Sequence, residues 1–340
     1  MPWDYPFKGG NEFNKFNEFN EFNGFNKFNE LLLIRFPIKL IRPIKLIKLI
    51  NLLNSLTPLN SETIQNFLHV FKFISLSSGS CGNCYYLNYD GYGLLIDLGI
   101  GIRSFKKLFS DYGLTIAQIN AILVTHDHTD HVKAVGALSR DFRIPVYTSA
   151  RVHESIQRNH FVSKKIPLNL QHNITRGEAF DLGPFRITSF GVPHDSADNN
   201  GYIISTPEGQ RFVLLTDVGH FTEEMSSIIS QATHLVIESN YSTAMLQAGR
   251  YPQRLKNRIS SDTGHISNEA TAQFLAQHLT PGIIKHVWLC HLSAENNRPS
   301  VAYEVCSKAL TDAGFQLENG HPTIKLEVLP RRNPTLVMEL

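Results

Sequence analysis

The sequence predicts a mixed α/β domain over residues 70–340, on three observations. Apolar runs of four or five residues, the length of a buried strand, recur along this stretch. Stretches with helical spacing alternate with them. Several of the runs end on an acid or a histidine, most densely in Ala121–Arg140, AILVTHDHTDHVKAVGALSR. There a strand, a short loop and a helix follow one another, an order that gathers side chains at the carboxyl edge of a sheet.

With 340 residues, 42% of them hydrophobic and 10% aromatic, the chain can build a sizeable core. Of its 32 basic and 30 acidic residues, 8 and 5 fall in residues 1–60, so 24 and 25 remain for the body. No bulk charge draws a nucleic acid, and such affinity must rest on a local patch. Four cysteines are too few for a disulfide scaffold. Cys81 and Cys84 form one CxxC with no second pair to complete a structural zinc site, and they read as small core residues.

Residues 1–69 read as a separate extension. Residues 11–29 repeat Phe-Asn with a period of three, which fits neither strand nor helix, so disorder is expected. Residues 31–53 are apolar but carry Arg35, Lys39, Arg42, Lys45 and Lys48, and Pro37 and Pro43 break them. That pattern argues against a spanning helix or a signal peptide. Peripheral membrane contact is the most that residues 31–53 offer, and a cytoplasmic protein is expected.

From Val70 the elements follow in order. Phe71–Ile74 alternates as a strand, Ser77–Asn83 is a polar loop, and Cys84–Leu87 and Gly93–Ile96 are strands. The latter ends at Asp97, which is either a turn former or a site residue. Arg103–Tyr112 is helical, and Ile116–Asn120 leads into the strand Ala121–Val124. Val132, Val135 and Leu138 mark the next helix. Pro145 makes Ile144–Tyr147 either an edge strand or one with the proline at its first residue. His153, His160 and His172 have no local partners and are set aside.

Phe185–Phe190 is a strand whose Pro-stiffened exit delivers His194. Gly201–Ile204 and Phe212–Leu215 pair as a hairpin, and the second runs into Asp217. His234–Ile237 ends at Glu238. Arg250, Arg254, Lys256 and Arg258 put four positive charges in nine residues, and on a helix Arg254 and Arg258 share a face. His265 sits at a helix entry, ahead of Ala270, Phe274, Leu275 and Leu279. Val287–Cys290 is a strand delivering His291. Residues 300–313 close the chain as a helix, and Ile324–Leu329 is a last strand.

His126, His128, Asp130 and His131 are the nitrogen and oxygen donors that zinc or manganese accepts. HDHTDH resembles the HxHxDH signature of the metallo-β-lactamase fold. SGSCGN, LLIDLG, PHDS, TD, ESNY, RYPQRLKNRISSDTGHISN and HLSAENN extend the resemblance over roughly Val70–Leu329, toward the YycJ/WalJ-type DNA exonucleases. The resemblance implies a four-layer αββα sandwich and two divalent ions, Zn²⁺ first and Mn²⁺ second. It puts His126, His128 and His194 on one ion, Asp130, His131 and His291 on the other, and Asp217 between them. It also implies that Asp97 supports a ligating histidine from behind. His265 becomes a catalytic histidine that binds no metal, oriented by Glu238, and Asp130 is counted with these two as catalytic. Arg250, Arg254, Lys256, Arg258 and Asn296 become substrate contacts.

A metal pair ~3.5–4 Å apart can hold a shared hydroxide and clamp both oxygens of a displacement. The expected activity is therefore phosphodiester hydrolysis at DNA ends. A lactonase, thioesterase or cyclic phosphodiesterase would use the same metals without needing the basic run. A metal-binding regulatory protein would need no proton donor such as His265. The 74 residues from Asp217 to His291 leave no room for the inserted cap of β-CASP nucleases. The 23 from His194 to Asp217 are too few for the projecting arm of ribonuclease Z.

Overall fold

The computed structural model describes residues 69–317 and 323–340. The readings of residues 1–68, including the Phe-Asn repeat and the apolar basic stretch, lie outside the described residues.

Two seven-stranded sheets form the centre. The first lays β1 (Phe71–Ser77), β2 (Cys84–Tyr89), β3 (Tyr92–Ile96), β4 (Ile119–Leu123), β5 (Val146–Thr148) and β6 (Gln171–Asn173) side by side in chain order. The second does the same with β7 (Ala179–Leu182), β8 (Phe185–Gly191), β9 (Asn200–Ser205), β10 (Arg211–Leu215), β11 (His234–Glu238), β12 (His286–Cys290) and β13 (Lys325–Val328). A short last strand, β14 (Met338–Glu339), returns to pair antiparallel with β1. Strands β3 to β6 run parallel, as do β10 to β13, so their carboxyl ends share a rim in each sheet.

Both faces of β3, β4, β10, β11 and β12 are largely buried, which is why they read as near-continuous apolar runs. In β12, Trp288 and Cys290 face the other sheet while Val287 and Leu289 face the helices. In β4, Ala121 and Leu123 face inward and Ile122 faces outward. The inter-sheet layer is aromatic, with Phe73, Tyr85, Phe185, Tyr202, Phe212 and Trp288 all essentially inaccessible. Trp288 sits edge-on to Phe73 at 4.8 Å, and truncating it to alanine would cost about 3–5 kcal/mol.

Helices close the two outer faces. Over the first sheet lie α1 (Ile102–Asp111), α2 (Thr129–Val132), α3 (Val135–Phe142) and α4 (Ala150–Arg158), which bury Phe105, Phe109, Val135, Leu138, Val152 and Ile156. The second half of the chain adds α5 (Glu223–Ile229), α6 (Thr243–Ala248), α7 (Gln253–Ile259), α8 (Asn268–His278) and α9 (Pro299–Asp312). Met225, Leu275 and Cys306 bring α5, α8 and α9 onto the second sheet. Ser267 caps α8 by accepting from the Ala270 amide at 3.1 Å, and Pro299 opens α9, where its missing N–H costs nothing. Helix, sheet, sheet and helix make the four layers of a metallo-β-lactamase fold.

β5 is interior, between β4 and β6, so of the two readings the proline at the strand's start holds: Pro145 lies just ahead of the pairing and only its carbonyl is used, by the Ile122 amide. One local expectation needs correction, since Cys81 is exposed and only Cys84 is a core residue. β14 lies beyond the last expected strand, where Leu336, Val337 and Met338 form a short apolar run. Among the described residues, no helix is long and apolar enough to cross a membrane.

Candidate metal centre

Six segments deliver polar side chains to one rim. The exits of β3, β4, β10, β11 and β12 bring Asp97, the His126–His131 loop, Asp217, Glu238 and His291, and the segment after β8 brings His194. Asp97, Asp217 and His291 adopt φ of 57°, 57° and 53°, the left-handed region. For non-glycine residues that conformation costs about 1 kcal/mol or more each, and here it turns three strand exits sharply toward a common point. Gly99 is required at the same place, since a Cβ there would lie 1.6 Å from the Asp130 carbonyl oxygen.

The donors fall into two linked groups. His126, His128 and His194 offer ligand atoms all within 4.8 Å of one another, and so do Asp130, His131 and His291. Asp217 stands between them, with Oδ2 3.2 Å from His131 Nε2 and Oδ1 3.7 Å from His194 Nε2. Asp130 Oδ2 lies 3.7 Å from His131 Nε2 and 3.5 Å from His291 Nε2.

Hydrogen bonds from behind fix which ring nitrogen faces the centre. His131 Nδ1–H donates to Asp97 Oδ2 at 2.7 Å, and Asp97 also accepts from the Thr125 amide and hydroxyl at 2.8 Å. His194 Nδ1–H donates to the Gly264 carbonyl at 2.9 Å. His291 Nδ1–H donates to Glu238 Oε1 at 2.8 Å, and His265 Nδ1–H donates to the same oxygen at the same distance. With Nδ1 committed, His131, His194 and His291 have only Nε2 left to offer a metal.

The electrostatics call for positive charge. Burial would lower His131, yet Asp217, Asp97 and Asp130 together hold it up at about 10. Burial opposes the charging of His291 too, and Asp217, Asp130 and Glu238 raise it well above the ordinary range. His126 goes the other way: desolvation, with His131 beside it, pushes it well down. Burial would raise Asp217, but His291 and His131 outweigh it and hold the carboxyl well below the usual range. Protons here do what a cation would do, and metal binding would displace them.

The donor set fits divalent metal ions. His126 Nε2 is buried with no hydrogen-bonding partner, and His291 Nε2 has only Asp130 Oδ2 at 3.5 Å. Buried imidazole nitrogens left unpaired are costly unless something coordinates them. A cleft of about 700 Å³ opens beside His194, lined among others by Arg176, Pro193, Ser196, Asp198 and Thr263.

The basic run is less uniform than its sequence. Arg250 and Arg254 are exposed, Lys256 Nζ donates to the Gln247 carbonyl at 2.5 Å, and Arg258 Nε pairs with Asp195 Oδ2 at 2.7 Å. Asn296 does not face solvent as the expected substrate contact would: it is 1% exposed and wedged against Gly249, where a Cβ would meet its Oδ1 at 2.7 Å. The neighbouring Asn297 instead donates to the Ser239 and Asn240 carbonyls at 2.9 Å.

Sequence reasoning missed Asn83, Asp127 and Asp195. Asn83 Nδ2 lies 2.9 Å from His131 Nε2. Asp127 accepts from Ser155 Oγ at 2.5 Å and the Ala197 amide at 3.0 Å, which ties the histidine loop to its neighbours. The SGSCGN and HDHTDH patterns held the first two, but nothing local distinguishes them from turn residues.

A β-lactamase superfamily domain matches residues 93–291. The exodeoxyribonuclease YycJ of Bacillus anthracis is 36% identical over 243 residues, covering 72% of this chain and 90% of that protein. The exodeoxyribonuclease WalJ of Streptococcus pneumoniae strain D39 is 33% identical over 243 residues, covering 72% and 89%. The metallo-β-lactamase fold protein YhfI of Bacillus subtilis superposes with a TM-score of 0.57 at 16% identity, over 80% of this chain and 99% of that one. Fold, rim geometry and these similarities converge: the chain belongs to the β-lactamase superfamily, in the family of the YycJ and WalJ exodeoxyribonucleases.

Proposed function

We propose that residues 70–340 form a dinuclear metal-dependent phosphodiesterase that degrades DNA from its ends. The observation that carries this reading is the sharing of Glu238 Oε1 by His291, a proposed ligand, and His265, which stands beside the donors with its Nε2 free. Asp217, Glu238, His265 and His291 could also hold a metal between them, yet Nδ1 of His265 is already committed to Glu238, which favours proton transfer over ligation. His126, His128 and His194 would hold one ion, Asp130, His131 and His291 the other, and Asp217 both. Nitrogen-rich donors favour zinc, with manganese as the alternative. When bound, two divalent ions supply an activated water and positive charge for the phosphate oxygens.

The chain's own residues do the rest. Glu238 fixes the tautomer of His265, so that Nε2 can carry a proton to the leaving oxygen. Burial would lower His265, and Glu238 with Asp217 outweighs it and raises it, which favours the protonated ring. Asp97 holds His131 in register. Arg250 and Arg254, both exposed, would meet backbone phosphates, contacts that carry no sequence preference. The DNA substrate is taken from the YycJ and WalJ relatives.

The test is a substrate panel with added Zn²⁺ or Mn²⁺ and with EDTA: end-labelled duplex DNA, single-stranded DNA, a tRNA precursor, a cyclic nucleotide and a lactone. Progressive loss of nucleotides from DNA ends, stopped by EDTA, is the expected result. Turnover confined to the lactone or the cyclic nucleotide would overturn the reading.

A further inference from the structure

The segment carrying His265 is stitched to the segment carrying His194 by the His194 Nδ1–H bond to the Gly264 carbonyl and, beside it, by residues that are not proposed ligands. Asp195 follows His194; its amide donates to the Thr263 carbonyl at 2.9 Å and its Oδ2 accepts from Arg258 Nε at 2.7 Å. His220 Nδ1–H donates to the Asp262 carbonyl at 2.8 Å, and the Gly219 amide to the Pro193 carbonyl at 2.8 Å. Residues 262–264 are thus bound from two flanking segments.

The end of α7 closes the other side. The His265 amide donates to the Ile259 carbonyl at 2.7 Å, and Ser261 Oγ donates to the Arg258 carbonyl at 2.8 Å. Gly264 packs so tightly that a Cβ would come 2.2 Å from the Arg258 carbonyl oxygen. Arg258 therefore does two things in this loop: its backbone forms the loop's base, and its side chain crosses to the neighbour of His194.

We propose that Arg258 acts through Asp195 as a positioning residue, locking the His265 loop against His194, and does not grip substrate phosphate as Arg254 would. This rests on the reading of His265 as the proton donor. Arg258 has its Nε committed to a carboxylate 3.6 Å from His194 Nε2, so Asp195 sets the orientation of the guanidinium before any phosphate arrives. The pair is largely exposed, so it adds little to folding, and its consequence is geometric. Misplacing a catalytic group by about 1 Å costs on the order of 100-fold in rate.

The test is a double-mutant cycle in the full chain, with Arg258→Ala, Asp195→Asn, the pair together, and Arg258→Lys. The readouts are kcat and KM on bis-p-nitrophenyl phosphate, bound metal, and hydrogen exchange at the Gly264 and His265 amides. Each single change is expected to lower kcat roughly 10–100-fold at nearly constant KM and full metal content. The double variant should be no worse than the worse single one, and lysine should restore part of the rate. Additive losses, metal loss in Asp195→Asn, or an Arg258→Ala enzyme altered only in its KM for DNA would each overturn the proposal. If the wild type cleaves neither the small ester nor DNA, the functional reading fails and exchange alone decides. Faster exchange in both single variants supports the latch, and unchanged exchange overturns it.

Discussion

Replacing Glu238 with glutamine removes one charge and almost no volume, which makes it the sharpest probe of how the centre is organised. The carboxylate is fully buried; Oε1 accepts from His265 and His291 at 2.8 Å, and Oε2 accepts from the Val218 amide at 2.7 Å. An amide cannot accept at both ends. With its oxygen toward the imidazoles, its NH₂ meets the Val218 N–H; reversed, its hydrogens meet two ring N–H groups. Asn240 Nδ2 also donates to Oε1, at 3.3 Å, so one orientation forfeits one hydrogen bond and the other forfeits three. A bond to a charged group is worth about 1.5–3 kcal/mol, and an unpaired buried donor adds about 1–3 kcal/mol. The expected loss is about 3–5 kcal/mol, which a domain stable by about 5–15 kcal/mol can survive. His265 without its anchor should lower kcat about 100-fold or more, and His291 should hold metal about 10–100-fold more weakly. Urea denaturation, kinetics on bis-p-nitrophenyl phosphate at saturating zinc and a metal titration read the three effects separately. A variant with wild-type stability and wild-type kcat would refute the hub role of Glu238.

Other consequences are as direct. Gly99→Ala would drive a methyl group into the Asp130 carbonyl, so Tm and metal affinity should both fall, by about 1–3 kcal/mol or more in stability; an unchanged melting curve would contradict the close approach. Burial pushes His234, with Lys285 and His286 beside it, down to about 3. Because its folded value lies below its unfolded one, its stabilising effect is complete above about pH 6.5 and is lost as pH falls toward 3, by roughly 2–5 kcal/mol. His234→Gln should flatten that part of the stability–pH curve, and an identical acid slope would count against it. Arg254→Ala should raise KM for duplex DNA and reduce the slope of affinity against log salt by about one; an unaltered slope would remove Arg254 from the interface.

Much of the fold was legible because both faces of the central strands are buried. β10, β11 and β12 therefore appear as unbroken apolar runs, each ending where a polar side chain is needed. β5 stayed open between an edge strand and one that a proline starts, because Pro145 is compatible with both; the strand is interior and Pro145 lies just ahead of its pairing. The donors could be named from motif order, but their arrangement could not. No local signal shows that Asp97, Asp217 and His291 adopt left-handed backbone, or that one oxygen of Glu238 serves two histidines 26 residues apart. The basic run misled through its uniformity. On the page its members look alike, whereas Asp195, 63 residues away from Arg258, separates that residue from the others. Asn296 failed for a similar reason, since proximity to His291 in sequence says nothing about which face of the loop is closed.

Divalent metal content of the purified full-length chain, wild type beside Asp217→Ala, tests the central claim most directly. Two ions per wild-type chain are expected, with occupancy and phosphodiesterase activity falling together in the variant. A fully active wild type carrying one ion or none would contradict a paired-metal centre at this rim.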